Sequence, residues 1–399
     1  MNKSCIIILL AIIFGSCSTN QTQKELRLDG DFYTIDLDGK KEPSIRLSSI
    51  FKNVQTIFLE TNKECLIGAI RDFQVFDGYI YILDSRLAKS LFVFDMEGRF
   101  IRKIGGRGGG PGEYVEANAF TLDTENGIIY LRVQRNLVHK YKLDGTFLHS
   151  INMQIPEGGS YFIHFYNGSL YSSCVWSRPS KDNCLLLEID PNDGEVLSQS
   201  VSVKYNKGYN KSHYYTYNNF FKSRTNNPPR YNELFMDYIV SLGKEITPYI
   251  ELKSKDLTTE QDIASNTDEY GYLQSIYFRK KSGYVYNFIE NDDVICFKYG
   301  LNPIAISVIL YKNSGEVKLA NYFNNDLIFK QDKTGMFEQF VFSDQKGAYV
   351  IYDTVSPAFG DEYEGYLRDN EVLPDMDKLD QLMELTADSN PAIFFYEYK

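Results

Sequence analysis

A repeat of short strand-forming runs limits this chain more than any other feature. Phe73-Gln-Val-Phe-Asp-Gly-Tyr-Ile-Tyr-Ile-Leu-Asp84 leads into Leu91-Phe-Val-Phe-Asp-Met-Glu-Gly-Arg-Phe-Ile101. The layout returns as Phe120-Thr-Leu-Asp123, Gly127-Ile-Ile-Tyr-Leu131 and Val138-His-Lys-Tyr-Lys-Leu-Asp-Gly-Thr-Phe-Leu148. A third copy reads Phe162-Ile-His-Phe165, Gly168-Ser-Leu-Tyr171 and Leu185-Leu-Leu-Glu-Ile-Asp190, closing with Asp193-Gly-Glu-Val-Leu197. The spacing is roughly 40 to 50 residues, the size of one four-stranded propeller blade. The runs are rich in Tyr, Phe, Ile and Val, and Asp-Gly, Glu-Gly and Asn-Gly supply the positive backbone angles of tight hairpins. A single meander cannot cover both of its faces, so the copies must stack around an axis.

Later copies are less regular. A fourth meander is expected over Tyr217 to Leu252, with strands around Leu234 to Met236, Tyr238 to Leu242 and Ile246 to Glu251. A fifth spans Leu273 to Tyr322. The sixth is broken: Phe337 to Phe342 and Ala348 to Tyr352 supply two strands and Ala392 to Glu397 another. Its missing outer strand is expected from the N-terminus, around Ser44 to Leu59, which would lock the ring and remove an open sheet edge. Helical periodicity is confined to Asp375 to Ala387 and a shorter stretch near Asp256 to Ala264. The expected fold is therefore all-β, a six-bladed β-propeller of four-stranded antiparallel blades closed by an N-terminal strand in the last blade. It would form one domain over residues 44–399.

The first residues carry an address. Lys3, an apolar run from Ile6 to Phe14 and Phe-Gly-Ser-Cys17 have the layout of a bacterial lipoprotein leader. Residues 1–16 would be removed, Cys17 would carry lipid, and residues 17–43 would form a polar linker and lead-in. The apolar run is far shorter than the roughly 20 residues of a spanning helix. Ser18 after the cysteine favours the outer membrane, with the leaflet left open. A net charge of -11 with both signs interspersed argues against nucleic acid as a partner. Cys174 and Cys184 are candidates for a disulfide across a hairpin, against the alternative of two buried thiols.

Leu59-Glu-Thr61, Ile67-Gly-Ala-Ile70 and Ile104-Gly-Gly-Arg-Gly-Gly-Gly-Pro-Gly-Glu-Tyr114 come in an order that resembles the six-bladed β-propeller lipoproteins of Bacteroides-type bacteria, relatives of NHL-repeat propellers. Ile246-Thr-Pro-Tyr249 and the closing Ser389-Asn-Pro-Ala-Ile-Phe-Phe-Tyr-Glu-Tyr-Lys399 resemble the same family. The resemblance implies a propeller and an envelope location, and it carries no activity.

Chemistry is sparser. The glycine run Gly105 to Gly112 lacks Gly-Lys-Ser/Thr and any Gly-x-Gly-x-x-Gly register, so it reads as a sharply turning loop rather than a phosphate cradle. Within it, Arg107, Glu113 and Tyr114 are candidates for lining one mouth of the central channel. Of four histidines, His164 on an expected inner strand is the one candidate for a catalytic metal site; no cofactor is expected, with calcium or zinc the metals to test. The chain holds 31 Tyr and 27 Phe against a single Trp. Most fill strand faces, but Tyr214 and Tyr215 lie among Asn, Lys and Ser without alternation, and Trp176 with Arg178 sits in an irregular stretch. Such residues suit sugars or peptides, since aromatic faces are apolar and their rims polar.

Three readings follow. A non-enzymatic binding propeller held at the envelope, taking a glycan, peptide or protein, is the favoured one. A metal-dependent lyase or hydrolase at the channel mouth would need converging ligands from several inner strands. A structural subunit of an outer-membrane complex would need a broad apolar patch. The sequence leaves the oligomeric state open.

Overall fold

The structure, a computed structural model, describes residues 22–24, 30–134, 136–155, 162–173, 184–202, 220–221, 223–224, 227–233, 235–259, 261, 283, 285–300, 305–330, 339–352, 373 and 377–399. Six mainly antiparallel sheets stand around a common axis as a six-bladed β-propeller. From the axis outward, blade 1 is Ile70–Phe76, Tyr79–Asp84, Ser90–Asp95 and Phe100–Ile104. Blade 2 is Ala119–Asp123, Ile128–Arg132, Leu137–Lys142 and Phe147–Asn152. Blade 3 is Ile163–Tyr166, Ser169–Ser173, Cys184–Ile189 and Val196–Ser202. Blade 4 is Phe220–Phe221, Arg230–Tyr231, Tyr238–Leu242 and Ile246–Lys253. Blade 5 is Val285–Glu290, Val294–Tyr299, Ile306–Tyr311 and Val317–Asn324. Blade 6 is Phe340–Asp344, Gly347–Tyr352, Ala392–Tyr398 and, from the N-terminal side, Phe51–Phe58.

Strand position decides the pattern of each run. Tyr79–Asp84, second in blade 1, is buried on both faces and reads almost continuously apolar. Phe100–Ile104, the outermost strand, alternates with solvent and keeps Arg102 and Lys103. Asp77 and Gly78, both at positive φ, turn the first hairpin, and Asn167 and Gly168 turn the corresponding one in blade 3. The core is divided into layers between blades. Phe73, Phe92, Phe342 and Tyr349 share one between blades 6 and 1, and Tyr81, Phe120, Leu131 and Tyr141 another between blades 1 and 2.

The ring closes as the sequence leads one to expect. Phe51–Phe58 pairs antiparallel with Ala392–Tyr398, from Ala392 opposite Phe58 to Tyr398 opposite Phe51. The closing Asn390 is buried and ties both ends together. Its Oδ1 accepts from Ile67 N at 2.8 Å, while Nδ2 donates to Glu60 O at 2.6 Å and Cys65 O at 2.8 Å. The free side of the closing strand is covered too, since Asp377 accepts from Thr56 N and Lys378 donates to Thr56 O.

Three findings differ from the sequence reading. Ser44 to Arg46 belongs to a different strand, Lys41–Arg46, which pairs parallel with the outer strand of blade 5. Tyr33–Asp36 does the same on blade 4 and Thr22–Lys24 on blade 3, so much of the stretch read as linker and lead-in runs along the rim as added strands. Parallel pairing at an edge asks for backbone groups rather than alternation, which is why these segments looked unstructured. Second, of the strand expected around Leu234 to Met236, Leu234 lies outside the described residues, Phe235 is in a turn and Met236 makes only an isolated bridge, while Arg230–Tyr231 forms the second strand of blade 4. Phe235 sits at φ 66, and Asn232 Nδ2 donates to Met236 O and Tyr238 O, which builds a turn. Third, of the helix expected from Asp375 to Ala387, the described residues 377–387 form a helix only over Leu379–Met383, because Lys378 at φ 55 cannot be part of it, and residues 375–376 lie outside the described residues. Of the helical stretch expected near Asp256 to Ala264, residues 256–259 form a turn and irregular chain rather than a helix, and residues 260 and 262–264 lie outside the described residues.

Blades 4 and 5 are joined by a buried ion cluster. Arg230 makes a two-pronged contact with Glu290 at 2.9 and 3.0 Å and lies 3.4 Å from the Tyr249 ring centre. Tyr249 and Lys312 also reach Glu290 Oε1, at 2.8 and 2.6 Å. Burial alone would push the Glu290 carboxyl up, but Arg230 and Lys312 outweigh it and hold it below its ordinary value of 4.5.

Two outcomes follow. Asn390→Ala removes three buried hydrogen bonds and should cost about 2–4 kcal/mol of unfolding free energy, read by urea titration. The Glu290 pKa is depressed by folding, so its contribution is complete above the ordinary carboxylate range and lost as pH falls through the folded value. Glu290→Gln should therefore flatten the loss of melting temperature below about pH 5, while Arg230→Met, which strips the main partner from a buried carboxylate, should cost about 3–5 kcal/mol at pH 7.

Candidate functional site at the propeller axis

The inner strands of the six blades line a central channel, and one segment of chain closes it partway. After the two-residue inner strand of blade 4, Phe220–Phe221, the chain crosses the axis and Ser223–Arg224 pairs parallel with Ser343 and Asp344 on the inner edge of blade 6. This segment touches the walls on several sides. The Phe220 ring stacks on His164 of blade 3 at 5.6 Å, and Phe221 stacks on Phe288 of blade 5 at 4.5 Å. Ser223 shares a 2.7 Å hydrogen bond with Ser343. Arg224 donates to Val75 O at 2.8 Å and to Gln74 Oε1 at 3.4 Å on blade 1, and its guanidinium lies 4.7 Å from the Phe76 ring centre.

The crossing leaves a chamber on either side. One, of about 280 Å³, opens on the face that carries the first hairpin turns, among Gln74, Thr121, Glu125, His164, Phe165, Tyr166, Asn167, Arg224 and Phe342. The other, of about 260 Å³, opens on the opposite face among Arg71, Asp72, Phe73, Phe220, Asn287 and Val341. A larger groove of about 820 Å³ lies between blades 6 and 1, with Asp77, Glu97, Asp344, Lys346, Asp377 and Lys378 on its walls. Arg224 lines both this groove and the first chamber.

The first chamber is polar on one side and aromatic on the other. Phe165 is braced from behind by Tyr130, stacked at 5.1 Å, and its backbone N donates to Thr121 Oγ1. Asp123 points its carboxylate back into its own turn, where it accepts from Glu125 N, Asn126 N and Asn126 Nδ2. Burial pushes the Arg224 guanidinium down to about 10, against the field of Asp344, so it stays charged at neutral pH.

The matched family model is described as "Domain of unknown function (DUF4934)" and covers residues 32–397. The chain belongs to this family. Among solved structures, one similar to it is a Bacteroides fragilis protein described as "Putative exported protein", 17% identical, with a TM-score of 0.70 over 92% of this chain and all of that one. Another is a member of the DUF4221 family from Bacteroides vulgatus, 11% identical, with a TM-score of 0.50 over 88% of this chain and 97% of that one. Both likenesses concern the propeller fold. No curated protein matches the chain.

The residues singled out from the sequence of this DUF4934 member are dispersed. His164 stands in the first chamber, on the inner strand of blade 3. Among the described residues, no group of three His, Cys, Asp or Glu side chains is placed to hold a metal ion. The glycine loop lies between blades 1 and 2, with Gly106–Arg107 paired parallel to Glu113–Tyr114. Arg107 is exposed, Glu113 accepts from Gly110 N within the loop, and Tyr114 is buried with its hydroxyl donating to Ile104 O. None of the three lines either axial chamber. Trp176, Arg178, Tyr214, Tyr215, Cys17 and Cys174 lie outside the described residues, and with Cys174 the proposed bond to Cys184.

Gln74, Thr121, Phe165 and Arg224 escaped the sequence reading. Gln74 left a faint signal, as the one amide in the otherwise apolar Phe73-Gln-Val-Phe76. Arg224 left none, since only the crossing brings it to the axis.

The glycine loop gives a sharp structural expectation. Gly105 sits at φ 69, and a Cβ there would meet Gly112 O at 2.8 Å and Tyr141 Oη at 2.7 Å. Gly105→Ala should lower unfolding free energy by about 2 kcal/mol, measured by denaturant titration, with ligand binding at the axis unchanged.

Proposed function

We propose that this propeller is an exported binding module, held at the cell envelope by lipid on Cys17, whose ligand enters the chamber beside Thr121, His164 and Arg224. The observation that carries the reading is the chamber itself. Its floor is formed by Phe220–Phe221 and Ser223–Arg224, and its walls combine a braced aromatic ring with amide, imidazole and guanidinium groups. Small-ligand sites combine apolar walls with a few placed polar groups in this way. The volume of about 280 Å³ suits one sugar ring or the end of a peptide better than a folded partner.

Three further observations agree. The Bacteroides fragilis neighbour is described as exported, and the leader supports the same address for this chain. No helix among the described residues is long and apolar enough to cross a membrane, which is consistent with lipid as the tether. Finally, Thr22–Lys24 pairs with Ser198–Ser200 on the outer edge of blade 3. The tether would then leave from the rim, within about 20 Å of chain from Cys17, and both axial faces would stay open.

The test is a thermal-shift screen of the chain beginning after Cys17 against glycans and short peptides, each with calcium, zinc or chelator. A saturating ligand at about a hundred times its dissociation constant adds roughly 2.7 kcal/mol, a visible rise in melting temperature. A hit abolished by Thr124→Trp, which fills the chamber rim from a turn, supports the reading. A hit indifferent to that substitution places the ligand elsewhere, and a shift that requires metal and is reversed by chelator favours the metal-dependent enzyme.

A further inference from the structure

Among the described residues, Arg224 is the one strong cation lining the first chamber, and its position is costly. The side chain is largely withdrawn from water, yet among the described residues its hydrogen bonds go to the neutral oxygens Val75 O and Gln74 Oε1, and no described carboxylate lies within ion-pairing distance. A guanidinium has five N–H donors in a planar fork, so these two bonds leave donors unused. Phe76 and Phe342, at 4.7 and 5.9 Å from the guanidinium carbon, hold its plane without neutralising it. The nearby acids do not answer it. Asp344 accepts from Lys346 N and Gly347 N, Asp123 is consumed by its own turn, and Glu125 stands exposed at the rim.

Buried or half-buried charges are normally paired, and a fork with free donors matches a carboxylate in two-pronged fashion. We infer that the chamber is selective for a small ligand bearing a carboxylate, of the acidic-sugar type, with Arg224 holding the carboxylate and Phe165, His164 and Gln74 the hydroxylated ring. The inference rests on the chamber being the binding site. It adds a charge requirement that the shape alone does not impose. Because Asp123 and Glu125 share the rim, the attraction is local to Arg224 and not a broad basic field.

The experiment compares matched pairs on the intact mature chain by calorimetry: glucuronate and galacturonate, free and as oligomers of two or three units, against their methyl esters and the neutral sugars. A charged hydrogen-bonded pair predicts that a free acid binds at least about tenfold more tightly than its ester. Arg224→Lys should weaken the acid by about tenfold and Arg224→Gln should abolish the preference, because lysine keeps the charge but not the fork. Wild-type discrimination between acid and ester needs no variant, so the outcome is readable even if Arg224→Gln fails to fold. Equal binding of acid and ester, or no binding by any acid at millimolar concentration, overturns the inference. A neutral ligand that binds and is lost in Thr124→Trp would overturn the charge requirement while leaving the chamber as the binding site. Ligands that bind only away from the chamber would overturn both.

Discussion

Everything in this molecule depends on the ring being closed. Each blade buries its faces against its neighbours, so an open ring would leave two apolar layers facing water at once. The closing pair, Phe51–Phe58 against Ala392–Tyr398, is therefore reinforced beyond its ladder. Phe51 stacks on Tyr398 at 5.0 Å and packs against Tyr396 and Phe340, which joins the N-terminal strand to the interior of the last blade. From there the chain must turn into blade 1, and two side chains hold that turn. Asn390 takes the loop at Glu60, Cys65 and Ile67, and Asp84 accepts the backbone N–H groups of Gly68, Ala69, Arg86, Leu87 and Ala88. Those amide donors satisfy the oxygens of a carboxylate that is buried away from water. First blade, last blade and closing strand thus form one cooperative joint.

The rim is managed by the same logic. Outer edges offer unpaired backbone groups that invite association. Blades 3, 4 and 5 have theirs covered by Thr22–Lys24, Tyr33–Asp36 and Lys41–Arg46, and the next segment of the chain completes blade 6. The N-terminal region is therefore a belt that walks around the ring before closing it. The outer strands of blades 1 and 2 carry no such cover among the described residues, and they turn polar side chains such as Lys103, His149 and Ser150 to solvent instead.

What could be read in advance follows from which forces are local. Asp77-Gly78 and Asn167-Gly168 announce their hairpins because the backbone angle requirement lies in two adjacent residues. The continuous runs of the second and third strands announce burial on both faces. The closing strand was legible because a blade with three strands needs a fourth. The belt strands were not, since parallel edge pairing imposes no side-chain pattern on Lys41–Arg46. In blade 4 the strand expected around Leu234 to Met236 gives way at Phe235 to a turn organised by Asn232, a polar choice that hydrophobicity does not encode. His164 could be placed on an inner strand from the pattern alone, and it stands on the inner strand of blade 3, though not within any described group of metal-ligating side chains. Tyr114 looked like a channel residue because it follows a glycine run, but its ring fills the space beside Gly105 and its hydroxyl is spent on Ile104 O.

The location of the site follows from an irregularity in blade 4. A complete inner strand would have continued down the channel wall, as Val285–Glu290 does in blade 5. Here the inner strand ends after Phe220–Phe221, and the chain leaves its own blade to pair with blade 6. That exchange gives up ladder pairing at home and recovers two residues of it at Ser343 and Asp344. What it adds is a floor across the axis and a cation at that floor. A propeller with a complete fourth blade would present an open channel, and its inner strands would offer no fixed guanidinium to a ligand. The same segment that breaks the regularity of the repeat therefore divides a passage into two chambers, each open to one face, one of them with a charged end.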